Sequence, residues 1–171
     1  MMNEKIEQAF NEQINAETFS AYLYWSVSAY FASIGLDGFA RWMTAQAQEE
    51  MLHASKFYNT ILERGGNVTL TELDAPATEW DSPLEAFEAA YAHEQYITGR
   101  IDDLMNLAIE ESDHASKSLL QWFVDEQVAE EDSVLQIVDQ LKLIGDDGRG
   151  LLMLDRELGQ RVFTPPPPEA E

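Results

Sequence analysis

FARWMTAQAQEEMLHASKF, residues 39–57, has the spacing of a helix with one buried face: Phe39, Met43, Gln46, Glu50, His53 and Phe57 recur at alternating intervals of four and three. Apolar residues hold both ends of this stripe, and polar residues hold its centre. Glu50 and His53, three positions apart, stand side by side on the same face. A carboxylate and an imidazole in the middle of a seam that excludes water need a partner, and three further helical stretches supply candidates.

The same reading gives Ile6, Phe10, Gln13, Glu17, Ser20, Tyr24, Val27 and Phe31 upstream. Downstream it gives Leu84, Phe87, Tyr91, Glu94, Thr98, Ile101 and Met105, then Leu120, Phe123, Gln127, Glu130, Val134, Ile137 and Leu141. Each stripe is apolar at its ends and polar near its middle. Helix midpoints meet in a bundle whatever the helix directions, so Glu17, Glu50, His53, Glu94, Gln127 and Glu130 are expected at one level.

Punctuation marks the helices. The first runs from about Asn3 to Ile34 and stops at Gly35; the second starts after Asp37, read as its N-cap, and stops before Gly65-Gly66. Ser82-Pro83-Leu84-Glu85 opens the third as a capping box with proline at the first helical position. Asp113 is placed to cap the fourth, which ends at Ile144 before Gly145. A short amphipathic helix then carries Leu151, Leu154 and Leu158. Residues 1–164 thus read as one domain, and 165–171 as an acidic, proline-rich tail with polyproline character at Pro165 to Pro168. The connection from Gly65 to Ser82 is long. Extended, about 18 residues reach nearly 60 Å, against roughly 40 Å for a 27-residue helix. It can cross the whole bundle. The fold class is all-α: two helical hairpins joined by a long crossover, with helices two and three parallel and a short fifth helix added.

Composition narrows the partners. The 171 residues carry 32 Asp or Glu against 10 Lys or Arg, a net charge of −22, yet 45% are hydrophobic, enough for a sizeable core. So negative a surface repels phosphate backbones and attracts cations, which argues against nucleic acid as a ligand. The absence of cysteine excludes disulfides, thiolate metal sites and cysteine nucleophiles, and with no signal-like start the expected compartment is the cytoplasm. Thr18 to Leu36 is uncharged, but four serines interrupt it and acidic Glu17 and Asp37 flank it, so no membrane span is expected. A helix apolar nearly all round predicts self-association instead.

Carboxylates facing each other in a core are unstable as bare charges. No Lys or Arg stands on these seams to neutralise them, and a carboxylate-rich set with one imidazole suits iron or another divalent transition ion. The residue types imply an asymmetric pair of metals: Glu17 and His53 on one, Glu94 on the other, Glu50 bridging, and Gln127 beside the second as a weak ligand or hydrogen-bond donor. His93 and His114 are expected at the surface.

The motifs Asn11-Glu12-Gln13-Ile14-Asn15-Ala16-Glu17, Tyr22-Leu23-Tyr24, Gln48-Glu49-Glu50-Met51-Leu52-His53, His93-Glu94, Leu120-Gln121-Trp122-Phe123 and Glu126-Gln127 together resemble the prokaryotic non-haem ferritins. The resemblance spans essentially the whole chain, including Glu79-Trp80-Asp81-Ser82-Pro83 ahead of helix three. It implies a ferritin-like bundle and an iron-storing ferroxidase: Fe(II) bound at Glu17, Glu50, His53, Glu94 and Gln127, oxidation by dioxygen or hydrogen peroxide, and a ferric mineral inside a hollow homo-oligomer, typically of 24 subunits. It implies no haem. Tyr24 matches the family's tyrosine beside the centre, as a hydrogen-bond or electron donor or as plain packing. A third iron position would fall on Glu49, Glu126 and Glu130; here the family pattern is broken by Ala129, which weakens that position.

Two rivals remain. A haem-containing bacterioferritin shares the helix-two motif and would use Met51 as haem ligand, but its second Glu-x-x-His is replaced here by Gln127 and Glu130. A non-catalytic oligomeric bundle would need hydrogen-bond donors to match the carboxylates, and Gln13, Gln46, Gln127, Tyr24 and His53 are few.

Overall fold

The computed structural model describes residues 2–165. These form five helices: α1 (Glu4–Ser33), α2 (Asp37–Glu63), α3 (Pro83–Glu110), α4 (His114–Ile144) and α5 (Gly148–Leu158). The polyproline expectation lies, past Pro165, outside the described residues.

The helix ends follow from local chemistry. Asn3 caps α1 by accepting from the Lys5 and Ile6 amides, and Ser82 caps α3 through the Glu85 amide while Glu85 accepts from the Asp81 amide. Gly35 and Gly65 take positive φ (79° and 70°) just past α1 and α2, a conformation that costs a side chain but not glycine. Asp113 caps α4 as expected, accepting from the Ser116 amide at 3.1 Å, and its other oxygen accepts from Arg64 at 2.7 Å. The start of α2 differs from expectation. Asp37 is its first helical residue rather than its cap, and Leu36 offers no capping oxygen. The free amides of Gly38 and Phe39 donate instead to Asp155 of α5, at 2.8 and 3.1 Å.

The long connection crosses the bundle along α1. Asn11 donates to the Asn67 carbonyl, Asn15 to Thr71 and Glu72, and Ser26 to Ala77, while Trp80 packs edge-on against Tyr30. α3 therefore begins beside the last turns of α1 and the first turns of α2, where Phe87 meets Phe31 and Phe39. This leaves α2 and α3 parallel.

Two apolar cores result. One holds Phe31, Phe39, Met43, Phe87, Val134 and Leu141, covered by Leu154 and Leu158 of α5. The other holds Ile6, Phe10, Phe57, Ile61, Ile97, Ile101, Leu120 and Phe123. The seam of α3 differs from the heptad reading: Ala90, Ile97 and Leu104 are buried where Tyr91, Thr98 and Met105 were expected, and those three are half-buried. A straight helix turns 3.6 residues per revolution, so a 3.5-residue repeat drifts across its face. The uncharged stretch of α1 is buried on one side only, with Tyr22 and Trp25 about half exposed. Among the described residues no helix is long and apolar enough to cross a membrane.

Candidate metal centre

Between the two cores lies a buried polar layer of Gln13, Glu17, Ser20, Gln46, Glu50, His53, Glu94, Gln127 and Glu130. Each residue comes from the middle of its own helix, and the antiparallel hairpins bring those middles to one level. Glu17, Glu50 and His53 offer ligand atoms that all lie within 4.8 Å of one another. His53, Glu126 and Glu130 form a second such group, sharing the imidazole.

Amides orient the acids. Gln13 donates to Glu17 at 2.8 Å, and Gln46 donates to Glu50 at 3.2 Å and to Glu130 at 2.6 Å. His53 Nδ1 lies 3.2 Å from Glu50 Oε2. On the far side Glu94 accepts from the Tyr24 hydroxyl and, at 3.2 Å, from Gln127. Glu94 belongs to neither three-residue group, so the layer has two unlike halves: Glu17 with His53, and Glu94 with Gln127, with Glu50 between them in charge. Donors run out before acceptors do. Glu17 Oε2 and Gln46 Oε1 are buried without any hydrogen-bond partner.

A model of the ferritin-like domain matches residues 7–144 of this chain. The chain belongs to the ferritin family. It is 44% identical over 161 residues to the bacterial non-heme ferritin of Bacteroides fragilis, covering 94% of this chain and all of that one. To the bacterial non-heme ferritin of Staphylococcus saprophyticus it is 40% identical over 163 residues, covering 95% and 98%. Among solved structures, the open pore ferritin of the archaeon Archaeoglobus fulgidus superposes with a TM-score of 0.93 at 53% identity, over 94% of this chain and 98% of that one. A form of the same ferritin engineered to be closed gives 0.95 at 52%, over 96% and 100%.

In this ferritin protomer, burial sets the electrostatics of the layer. Loss of hydration pushes Glu17 and Glu94 up to about 8, with the Glu50 charge adding to both. Glu130 rises to about 7 for the same primary reason, with Glu94 contributing, and Glu50 is held well above the usual carboxylate range by burial and by Glu130. The acids thus keep protons to near-neutral pH unless a cation replaces them. Burial likewise raises the Tyr24 hydroxyl, which keeps it a proton donor to Glu94.

Three residues were not legible as parts of this ferritin site. His93, expected at the surface, is half-buried: its Nε2 lies 2.7 Å from Ser20 Oγ, its ring meets Tyr24 edge-on, and burial lowers its pKa to about 4. A faint signal existed in Ser20, a polar residue on the α1 seam. Arg100 donates to Gln13 at 2.9 Å and so fixes the amide that holds Glu17. Arg161, past α5, pairs with Glu49. Neither arginine lies on a seam, so periodicity gave no sign of them. Glu131, next in the chain after Glu130, accepts from Thr98 at 2.6 Å.

Proposed function

We propose that each protomer is a ferroxidase that feeds an iron store. Fe(II) is the substrate, and two ions bind at Glu17, Glu50, His53, Glu94 and Gln127, with Glu50 bridging. The observation that carries this reading is the Glu17, Glu50 and His53 group, three buried ligand residues whose ligand atoms lie within 4.8 Å of one another, in a layer that leaves Glu17 Oε2 without a hydrogen-bond donor. Two Fe(II) each give one electron to dioxygen, which takes up two protons and leaves as hydrogen peroxide; peroxide accepts a further pair of electrons in the same way. Anionic oxygen ligands stabilise Fe(III) over Fe(II), so the carboxylates favour the product. Ferric iron then passes to a mineral in the hollow of a homo-oligomer, in the cytoplasm. Tyr22 and Trp25 on α1 and Met51 and Tyr58 on α2 are exposed apolar side chains that subunit contact would cover.

The non-catalytic alternative is disfavoured by the partnerless Glu17 Oε2, since a bundle built only for register would satisfy it. The haem-binding alternative is disfavoured by the asymmetry of Gln127 and Glu130. Aerobic addition of Fe(II), followed by absorbance and oxygen uptake, tests the proposal. Oxidation well above the buffer rate is expected, with the mineral retained by the protein; a rate equal to buffer would refute it.

A further inference from the structure

Beside the His53, Glu126 and Glu130 group the chain places a cation of its own. Glu49 lies near enough to Glu126 for that charge to be felt, yet its Oε2 is taken by Nη2 of Arg161. Arg161 stands three residues beyond the end of α5 and 112 residues from Glu49 in sequence. Its guanidinium sits 4.2 Å over the Trp42 ring, and its Nη1 is buried with no hydrogen-bond partner. Its place therefore depends on a charge-assisted hydrogen bond from one nitrogen to Glu49 and on the face of Trp42, with its other terminal nitrogen left without a partner. α5 itself is held independently, through Asp155 on the α2 amides. Arg161 can leave Glu49 by a rearrangement of the segment after Leu158 alone. Ala129 supplies no carboxylate nearby to replace Glu49 for an incoming ion.

We propose that Arg161 is a tethered counter-cation that competes with metal for Glu49. An ion reaching Glu126 and Glu130 gains Glu49 as a ligand only by displacing the guanidinium, so the segment after α5 limits how firmly iron is held outside the oxidation centre. This inference rests on the ferroxidase reading for its two inner metals, and the test separates the two. Zn(II), which undergoes no oxidation, is titrated into the intact metal-free protein by calorimetry. Wild type is expected to show two tight sites per protomer and a weaker third. Arg161→Gln is expected to leave the first two unchanged and tighten the third roughly fivefold, the scale of a partly exposed ion pair. In a Glu49→Gln background the same substitution is expected to change nothing. An unchanged third site in Arg161→Gln, or an equal gain when Glu49 is already gone, would overturn the proposal while the two tight sites still stand. Absence of the two tight sites in wild type would overturn the metal centre itself, and this proposal with it.

Discussion

Asp155 of α5 caps α2: its Oδ1 accepts from the Gly38 amide at 2.8 Å, and Gly38 has no room for a side chain there. A Cβ on Gly38 would lie 1.6 Å from the Asp155 carbonyl oxygen. The fifth helix is thus fitted to the bundle by a charge-assisted hydrogen bond at a helix N-terminus and by a close backbone approach.

Gly38→Ala is therefore expected to push α5 off the bundle and expose Leu154 and Leu158, whereas Asp155→Ala removes only the cap. The latter should cost about 1 kcal/mol and the former distinctly more. Thermal unfolding of both variants checks the order; equal losses would contradict the packing argument.

Glu50→Ala and His53→Ala are expected to bring Fe(II) oxidation down to the buffer rate. The metal-free fold should survive Glu50→Ala, because it removes an acid whose charged form is opposed first by burial and then by Glu130. Stopped-flow oxidation paired with thermal melts of the metal-free proteins tests this. Wild-type rates in either variant would place the chemistry elsewhere.

Tyr24→Phe removes the hydroxyl that donates to buried Glu94. Leaving that acid with one donor fewer should destabilise the metal-free protein by about 1–2 kcal/mol. Oxidation should slow without stopping, since Tyr24 is not among the proposed ligands. Complete loss of activity with an unchanged melting temperature would assign it a role in electron transfer instead.

Glu17 and Glu94 have folded pKa values near 8 against 4.5 as the ordinary value. A carboxyl group whose pKa is raised on folding stabilises the fold while protonated, fully below about 4.5, and that contribution is lost as pH rises to about 8. The metal-free protein should therefore lose melting temperature between pH 5 and pH 8. Saturating Zn(II) should flatten the slope and release protons on binding, measurable by calorimetry in buffers of differing ionisation enthalpy. A metal-free protein whose stability rises across that range would show that the layer is ionised at no cost.

Periodicity in the chain places Glu17, Glu50, His53, Glu94, Gln127 and Glu130 on inward faces at matched depth, because an α-helix fixes the direction of every side chain once its buried stripe is known. Glycine and capping residues mark the helix ends for a similarly local reason, and the 65–82 segment is long enough to cross the bundle and leave helices two and three parallel. Where two elements met far apart in sequence, local rules were silent or wrong. They assigned the α2 cap to Asp37 when Asp155 does the work, put His93 at the surface when Ser20 and Tyr24 enclose it, and left Arg161 in an unassigned segment when it holds Glu49. Hydrogen bonds and ion pairs between remote positions carry no repeat in the chain. They exist only once hydrophobic burial has brought α1, α2 and α5 into register, and so the inner acids can be named from spacing alone while the groups that cap α2, enclose Ser20 and pair with Glu49 become visible through the packed fold.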